Sequence, residues 1–155
     1  MRLTYEELQD KYSSMNIVEM DLSEVKGLKG LCVNDNIAIR KDIPTQAEKS
    51  CVLAEELGHY HTTYGDILDL DNVQNRKQEL RARMWGYDRL IGLMGIINAY
   101  KKGCRNRAEM AEELDVTEEY LMEALKAYHN KYGICTTIDN YIIYFEPSLA
   151  VMKLY

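Results

Sequence analysis

The chain has 155 residues, 46% of them hydrophobic, so it is long enough to bury a core as one domain with at most a small appended lobe. Its 25 acidic and 19 basic side chains give a net charge of -6, which repels phosphate backbones and argues against nucleic acid as a direct partner. No apolar run approaches the roughly 18 residues that span a bilayer, so we expect no membrane partner.

The N-terminal segment predicts a helix and a small antiparallel sheet. A capping box at residues 4–7 opens a helix that should run to about Tyr12. Apolar side chains alternate with acidic ones over residues 17–22. Two further short apolar segments, 31–33 and 37–40, flank a turn rich in asparagine and aspartate. We expect these three strands to pair antiparallel.

Two longer helices follow the strands. A second capping box, at residues 45–48, opens a helix that should end near Gly65. A further helix is expected over about residues 75–91, with Leu80 on its apolar stripe and Glu79 beside that stripe.

The rest of the chain predicts more helices and a closing hairpin. The pattern stays mostly helical from Gly92 to Gly133, with breaks near Gly103 and at residues 114–117. Apolar segments at 134–137 and 141–145 surround an Asp-Asn turn and predict two paired strands.

Residues 55–59, Glu-Glu-Leu-Gly-His, lie on the first of the two longer helices and differ by one residue from the zinc-peptidase motif H-E-x-x-H. In that motif two histidines bind the metal, and the glutamate after the first activates a metal-bound water. Here Glu55 replaces the first histidine. A carboxylate oxygen binds zinc at nearly the same distance as an imidazole nitrogen, so Glu55 remains a candidate ligand. Glu55, Glu56 and His59 share one side of a helix.

Glu79 completes the candidate ligand set. It lies 20 residues beyond His59, on the following helix, where zinc peptidases add a third ligand. Ala54 and Gly58 face another side of the motif helix and would let a second element approach closely. The alternative is a solvated helix face with an unrelated histidine, since such short patterns often match by chance.

The chain resembles the ImmA/IrrE family of metallo-endopeptidases, found in bacteria, their phages and integrative elements. The resemblance rests on Glu55-Glu56-Leu57-Gly58-His59 and on Glu79-Leu80-Arg81-Ala82-Arg83-Met84-Trp85. These segments match the family's H-E-L-G-H helix and its helix with a metal-binding glutamate ahead of an alanine and an aromatic residue. The resemblance extends from the strand at Leu31 to the helices near Val116. The departure is Glu55, and the E-E-L-G-H form resembles a variant from Firmicute mobile elements.

The resemblance implies that His59 and Glu79 bind a metal and that Glu56 is the general base, with Glu55 in the place of the first ligand. The implied cofactor is one divalent metal, zinc first, while manganese and iron also suit a Glu-His-Glu set. The implied substrate is a bacterial or phage repressor protein. The alternative function is a catalytically inactive regulator that keeps the fold and sequesters a partner protein.

Together these features predict an α+β fold with a zincin-like helical core and a small antiparallel sheet. Residues 1–98 would form the metallopeptidase-like core, and 99–155 a helical lobe with a terminal β-hairpin, packed with the core as one unit. Within the lobe, residues 107–128 have the pattern of a DNA-binding helix-turn-helix. Its second helix would present three glutamates against a single Lys126, so we expect a structural or protein-docking role.

Several other polar residues near the motif have two possible roles. His61 would point some 200° away from His59 on a continuing helix, so we expect an ordinary, partly exposed histidine. Asp66 would cap a turn or orient His59, and Tyr64 is a candidate for oxyanion assistance. The basic side chains around Glu79 favour a solvated face, with steering of an acidic substrate loop as the alternative: Arg76, Lys77, Arg81, Arg83 and Arg89.

The four cysteines are expected to be free thiols. Their spacing excludes a C-x-x-C metal knuckle, and we expect no signal peptide. These features predict a cytoplasmic protein, and the family resemblance implies a bacterial host.

Overall fold

The computed structural model describes residues 3–62 and 72–154. Over those residues the chain forms an α+β fold, as predicted, with six helices and six strands. None of the described helices is long and apolar enough to cross a membrane. Contacts divide the chain into two compact units, Leu3–Arg89 and the residues from Leu90 onward. The sequence-based boundary after residue 98 lies further along the chain.

The described residues of the N-terminal unit form three helices and three strands. They are α1 (Tyr5–Lys11), β1 (Asn16–Met20), β2 (Gly30–Val33), β3 (Asn36–Arg40), α2 (Gln46–Thr62) and α3 (Asn72–Leu90). Both predicted N-terminal caps form. The backbone N–H of Glu7 donates to Oγ1 of Thr4 at 3.2 Å, and that of Glu48 donates to Oγ1 of Thr45 at 3.1 Å. Each cap satisfies a donor that the first helical turn leaves unpaired.

The sheet of this unit is mixed, so the prediction of an all-antiparallel sheet was wrong. The predicted β2–β3 hairpin forms, with Val33 paired to Asn36 and Asn34 in the left-handed region at a φ of 55°. However, β1 runs parallel to β3, and the strand order is β1-β3-β2. The segment 21–29 carries the chain from one edge of the sheet to the other. Side-chain alternation identifies a strand but does not reveal its direction.

One face of this sheet packs against helices. Ile37 and Ile39 of β3 are fully buried, as are Leu53 and Leu57 of α2. The opposite face is open, and the large apolar residues at least 40% exposed there are Val18, Met20, Leu31 and Val33. Because side chains alternate along a strand, Gly30 and Cys32 of β2 face α2. This places an edge strand against the helix that carries the candidate motif.

The C-terminal unit is also α+β. It contains α4 (Gly92–Lys101), α5 (Arg107–Leu114), α6 (Glu118–Tyr132), β4 (Cys135–Ile138), β5 (Tyr141–Tyr144) and β6 (Ala150–Lys153). As predicted, Thr117 caps α6 and β4 pairs antiparallel with β5. The sequence did not predict β6, which pairs antiparallel with β5 and extends the hairpin to three strands. Leu114 and Val116 are buried at the α5–α6 turn.

Tyr5 provides a test of packing in the N-terminal unit. Its side chain is 4% exposed, and burial, assisted by the negative charge of Glu19, raises its pKa from 10.0 to about 12.

The folded state therefore holds the Tyr5 hydroxyl proton more tightly than the unfolded state does. The stability that this proton contributes is lost as the pH rises from about 10 through about 12. We expect the free energy of unfolding, measured with urea, to fall less over that pH range in Tyr5→Phe than in the wild type. Tyr100→Phe, at a position 45% exposed, should behave like the wild type, and equal slopes for all three proteins would refute the assignment.

Candidate metal centre

The structure brings Glu55, His59 and Glu79 together. One ligand atom from each lies within 4.8 Å of the others. Nε2 of His59 lies 3.7 Å from Oε2 of Glu79, and all three side chains are partly exposed. Helix geometry places Glu55 and His59 on one side of α2, while Glu79 approaches from α3. Three of the four candidate site residues therefore form one cluster that is open to solvent.

Gly58 sets the distance between the two helices that carry these ligands. A Cβ atom at this position would lie 2.1 Å from the backbone oxygen of Ala82 on α3, far inside van der Waals contact. Only glycine permits this approach without a shift of the backbone. The expectation of close packing on this side of α2 is confirmed, and that packing holds His59 near Glu79.

Stacked aromatic side chains also connect α2 with α3. The ring of His61 stacks on Trp85 at 4.8 Å between centroids, and Tyr12 lies 5.4 Å from His61 and 5.6 Å from Trp85. The guanidinium of Arg89 lies over the Trp85 ring, 4.3 Å from its centroid. Burial and the nearby Arg89 lower the pKa of His61. His61 is therefore a packing residue outside the metal cluster, in agreement with the prediction from helix geometry.

Strand β2 is held along α2 at both ends. At one end Lys29 forms an ion pair with Glu48 at 2.8 Å, and at the other the hydroxyl of Tyr60 donates to Asp35 at 2.9 Å. Between these contacts Gly30 lies directly against Glu56, because a Cβ there would come within 2.9 Å of the Glu56 Cγ atom. Gly30 was not among the predicted site residues, although a glycine inside a strand often marks a close approach by another group.

Glu56 is half-buried beside the ligand cluster, against Gly30 of β2. Burial, followed by the charges of Glu55 and Glu79, raises its pKa from 4.5 to about 7. The neighbouring thiol of Cys32 has a raised pKa as well, through burial first and then the charges of Glu56 and Asp35. The negative charges of Glu55 and Glu79 therefore lie close to the Glu56 carboxyl group.

The donor set fits a divalent cation. Two carboxylates and one imidazole are ordinary zinc ligands, and they also suit manganese and iron. Tetrahedral coordination at about 2.1 Å separates neighbouring ligand atoms by about 3.4 Å, so the 4.8 Å cluster needs only small side-chain adjustments. A cation would also offset the repulsion between Glu55 and Glu79. Three protein donors leave one tetrahedral position for a further ligand.

Two further residues near the motif lie outside the part of the chain that the structure describes. They are Tyr64, predicted as a candidate for oxyanion assistance, and Asp66, predicted to cap a turn or orient His59. Both roles remain predictions.

Comparison of the chain with family models, with curated proteins and with solved structures found no match. The resemblance to the ImmA/IrrE metallo-endopeptidases therefore remains a prediction that rests on the motif residues. Independently of that resemblance, the structure supplies a possible metal-binding triad on α2 and α3.

Proposed function

We propose that this protein is a metal-dependent endopeptidase of the ImmA/IrrE type. Glu55, His59 and Glu79 hold one divalent cation, zinc in the first instance, with manganese or iron as the other compatible metals. The observation that carries the proposal is the convergence of these three side chains from two helices, within 4.8 Å, next to the half-buried Glu56.

Glu56 serves as the general base in this proposal. A bound divalent cation supplies Lewis-acid polarisation of a peptide carbonyl and makes water more acidic. Glu56 takes a proton from the attacking water and returns it to the amine that leaves when the peptide bond breaks. Its position against Gly30 limits how far the carboxyl group can move. Its place beside Glu55 in the sequence keeps the group next to the ligand set.

The substrate class follows from the family resemblance. The protein would cleave a bacterial or phage repressor in the cytoplasm of a bacterial host, and so derepress the genes of the element that encodes it. Nucleic acid is not a direct partner in this scheme, because the helix-turn-helix pattern presents acidic side chains. The partner is therefore the repressor protein itself.

One observation favours the alternative of a non-catalytic regulator. On α6, Glu118, Glu119 and Glu123 are exposed around Met122, which is 46% exposed. An exposed apolar side chain with three acidic neighbours and a single basic one, Lys126, suits contact with a basic protein surface. In that alternative, the replacement of a histidine by Glu55 reflects a lost metal site.

Metal content distinguishes these two functions. We expect close to one metal ion per chain in protein purified without chelators or a histidine tag. The metal should be lost in Glu55→Ala and in His59→Ala, because each removes one of three protein ligands. Inductively coupled plasma mass spectrometry measures the content, and addition of zinc or manganese tests whether empty protein takes up the ion.

His61→Ala is the matched control for the ligand variants. It removes an imidazole from the same helix, but from a position where the ring stacks on Trp85. Its metal content should equal that of the wild type. Wild-type protein that takes up neither zinc nor manganese would contradict the metallopeptidase proposal and favour the regulator.

A further inference from the structure

Two arginines flank the candidate ligand Glu79 on the same side of α3. At 100° per residue, Arg76 and Arg83 lie within about 60° of Glu79 around the helix, whereas Lys77 and Arg81 lie about 160° away. These four side chains therefore divide into one pair beside the metal cluster and one pair on the opposite side, while the fifth basic residue of α3, Arg89, lies over Trp85.

The flanking pair makes no ion pair within the described part of the chain. Arg83 follows Glu79 by four residues, the spacing and order at which a glutamate and a cation normally attract each other along a helix. The Glu79 carboxylate instead lies near His59. Both guanidinium groups are exposed, so they present hydrogen-bond donors to solvent beside the candidate centre.

These side chains line a shallow surface groove, open to solvent, of about 670 Å³. Among the described residues, its lining comes from α3 alone: Asn75, Arg76, Glu79, Leu80 and Arg83. Leu80 is 54% exposed, although its place on the apolar stripe predicted burial. Glu79 belongs both to the groove and to the metal cluster, so a peptide held at the cluster would meet this groove.

The local charge of α3 opposes that of the whole chain. The helix carries five basic and two acidic side chains, in a protein with a net charge of -6. A guanidinium group matches a carboxylate in shape and charge, and two such groups beside an exposed leucine suit an acidic side chain with an apolar neighbour.

We propose that Arg76 and Arg83 select peptides that carry an aspartate or glutamate close to the bond held at the metal centre. This inference rests on the proposed peptidase function of the same site and names its substrate class. The two arginines are specificity-determining residues that act by binding the substrate, with no part in proton transfer.

Peptide binding tests the inference without relying on cleavage. The probes are fluorescein-labelled nonapeptides in which one glutamate is moved through an alanine–leucine background, each paired with the corresponding glutamine peptide. Fluorescence anisotropy at low salt measures their affinity for zinc-supplemented Glu56→Gln protein, in which the proposed base is absent. We expect the best glutamate peptide to bind about five- to tenfold more tightly than its glutamine partner.

Two double variants separate local recognition from general electrostatic attraction. Arg76→Gln/Arg83→Gln and Lys77→Gln/Arg81→Gln, each made in the Glu56→Gln protein, remove the same charge from the same helix. The preference for glutamate over glutamine peptides should disappear in Arg76→Gln/Arg83→Gln and remain in Lys77→Gln/Arg81→Gln. Three results would overturn the inference. They are an equal loss of the glutamate preference in both variants, a preference retained in the first variant, and no peptide binding up to about 1 mM, which corresponds to a free energy near -4.1 kcal/mol.

Failure of the peptidase proposal gives a different result. In that case the arginine-dependent preference for glutamate persists while wild-type protein with added zinc cleaves no peptide. Conversely, cleavage by the wild type without any preference for acidic peptides rejects the role of Arg76 and Arg83 and leaves the peptidase proposal standing.

Discussion

Glu56→Gln is expected to reduce peptide cleavage by about 10²- to 10⁴-fold while leaving metal content close to that of the wild type. The amide has almost the same size as the carboxyl group, so it still fits against Gly30. It cannot accept the proton of the attacking water. The change therefore removes the proposed base while the three ligand residues remain in place.

The measurement uses zinc-supplemented protein and a peptide mixture from a digest of bacterial cytosol. Mass spectrometry counts the new peptide termini formed by the wild type and by Glu56→Gln, and metal content is determined on the same preparations. Glu6→Gln makes the same chemical change at an exposed position of α1 and should cleave like the wild type. Undiminished cleavage by Glu56→Gln would refute the role assigned to Glu56.

Gly58→Ala is expected to lower both stability and metal affinity. The new methyl group would lie 2.1 Å from the backbone oxygen of Ala82. The helices must therefore separate by about 1 Å to reach an ordinary carbon–oxygen contact of roughly 3.3 Å. Overpacking of this kind costs about 1–3 kcal/mol. The shift also carries Glu79 away from His59, so we expect at least about a tenfold loss of metal affinity.

Gly95→Ala is the matched control for this packing effect. It makes the same substitution inside α4, where the new Cβ would lie 3.3 Å from Cδ2 of Leu114, the end of a flexible side chain. Alanine favours a helix over glycine by about 1 kcal/mol, so this variant should be as stable as the wild type or more stable. Urea unfolding and zinc titration compare the three proteins. Wild-type stability and zinc affinity in Gly58→Ala would contradict the contact with Ala82.

Local sequence signals predicted the elements that carry the candidate site. Thr4, Thr45 and Thr117 begin helices as expected, because a side-chain oxygen pairs with a backbone donor within the same short segment. The spacing of Glu55 and His59 placed both residues on one side of α2 by helix geometry alone. The assignment of Glu79 depended on the spacing at which zinc peptidases add a third ligand and on the family resemblance.

Other features of the site depend on segments that are distant in the sequence. The high pKa of Glu56 arises from enclosure that includes β2 and from the charges of Glu55 and Glu79. Glu79 lies near His59 and, among the described residues, forms no ion pair with Arg76 or Arg83, which line the groove beside it. Helical periodicity alone gives no information about which partner a charged side chain takes.

By itself, the sequence determined the α+β class and the main helices, because these depend on caps, turns and periodicities that act over a few neighbouring residues. The candidate ligand set came from the near match to H-E-x-x-H and from the family resemblance. Only the tertiary structure decided the parallel direction of β1, the addition of β6, the enclosure of Glu56 and the exposure of Leu80. Strand direction, burial and charge partners are set by packing between distant segments, which local periodicity does not encode.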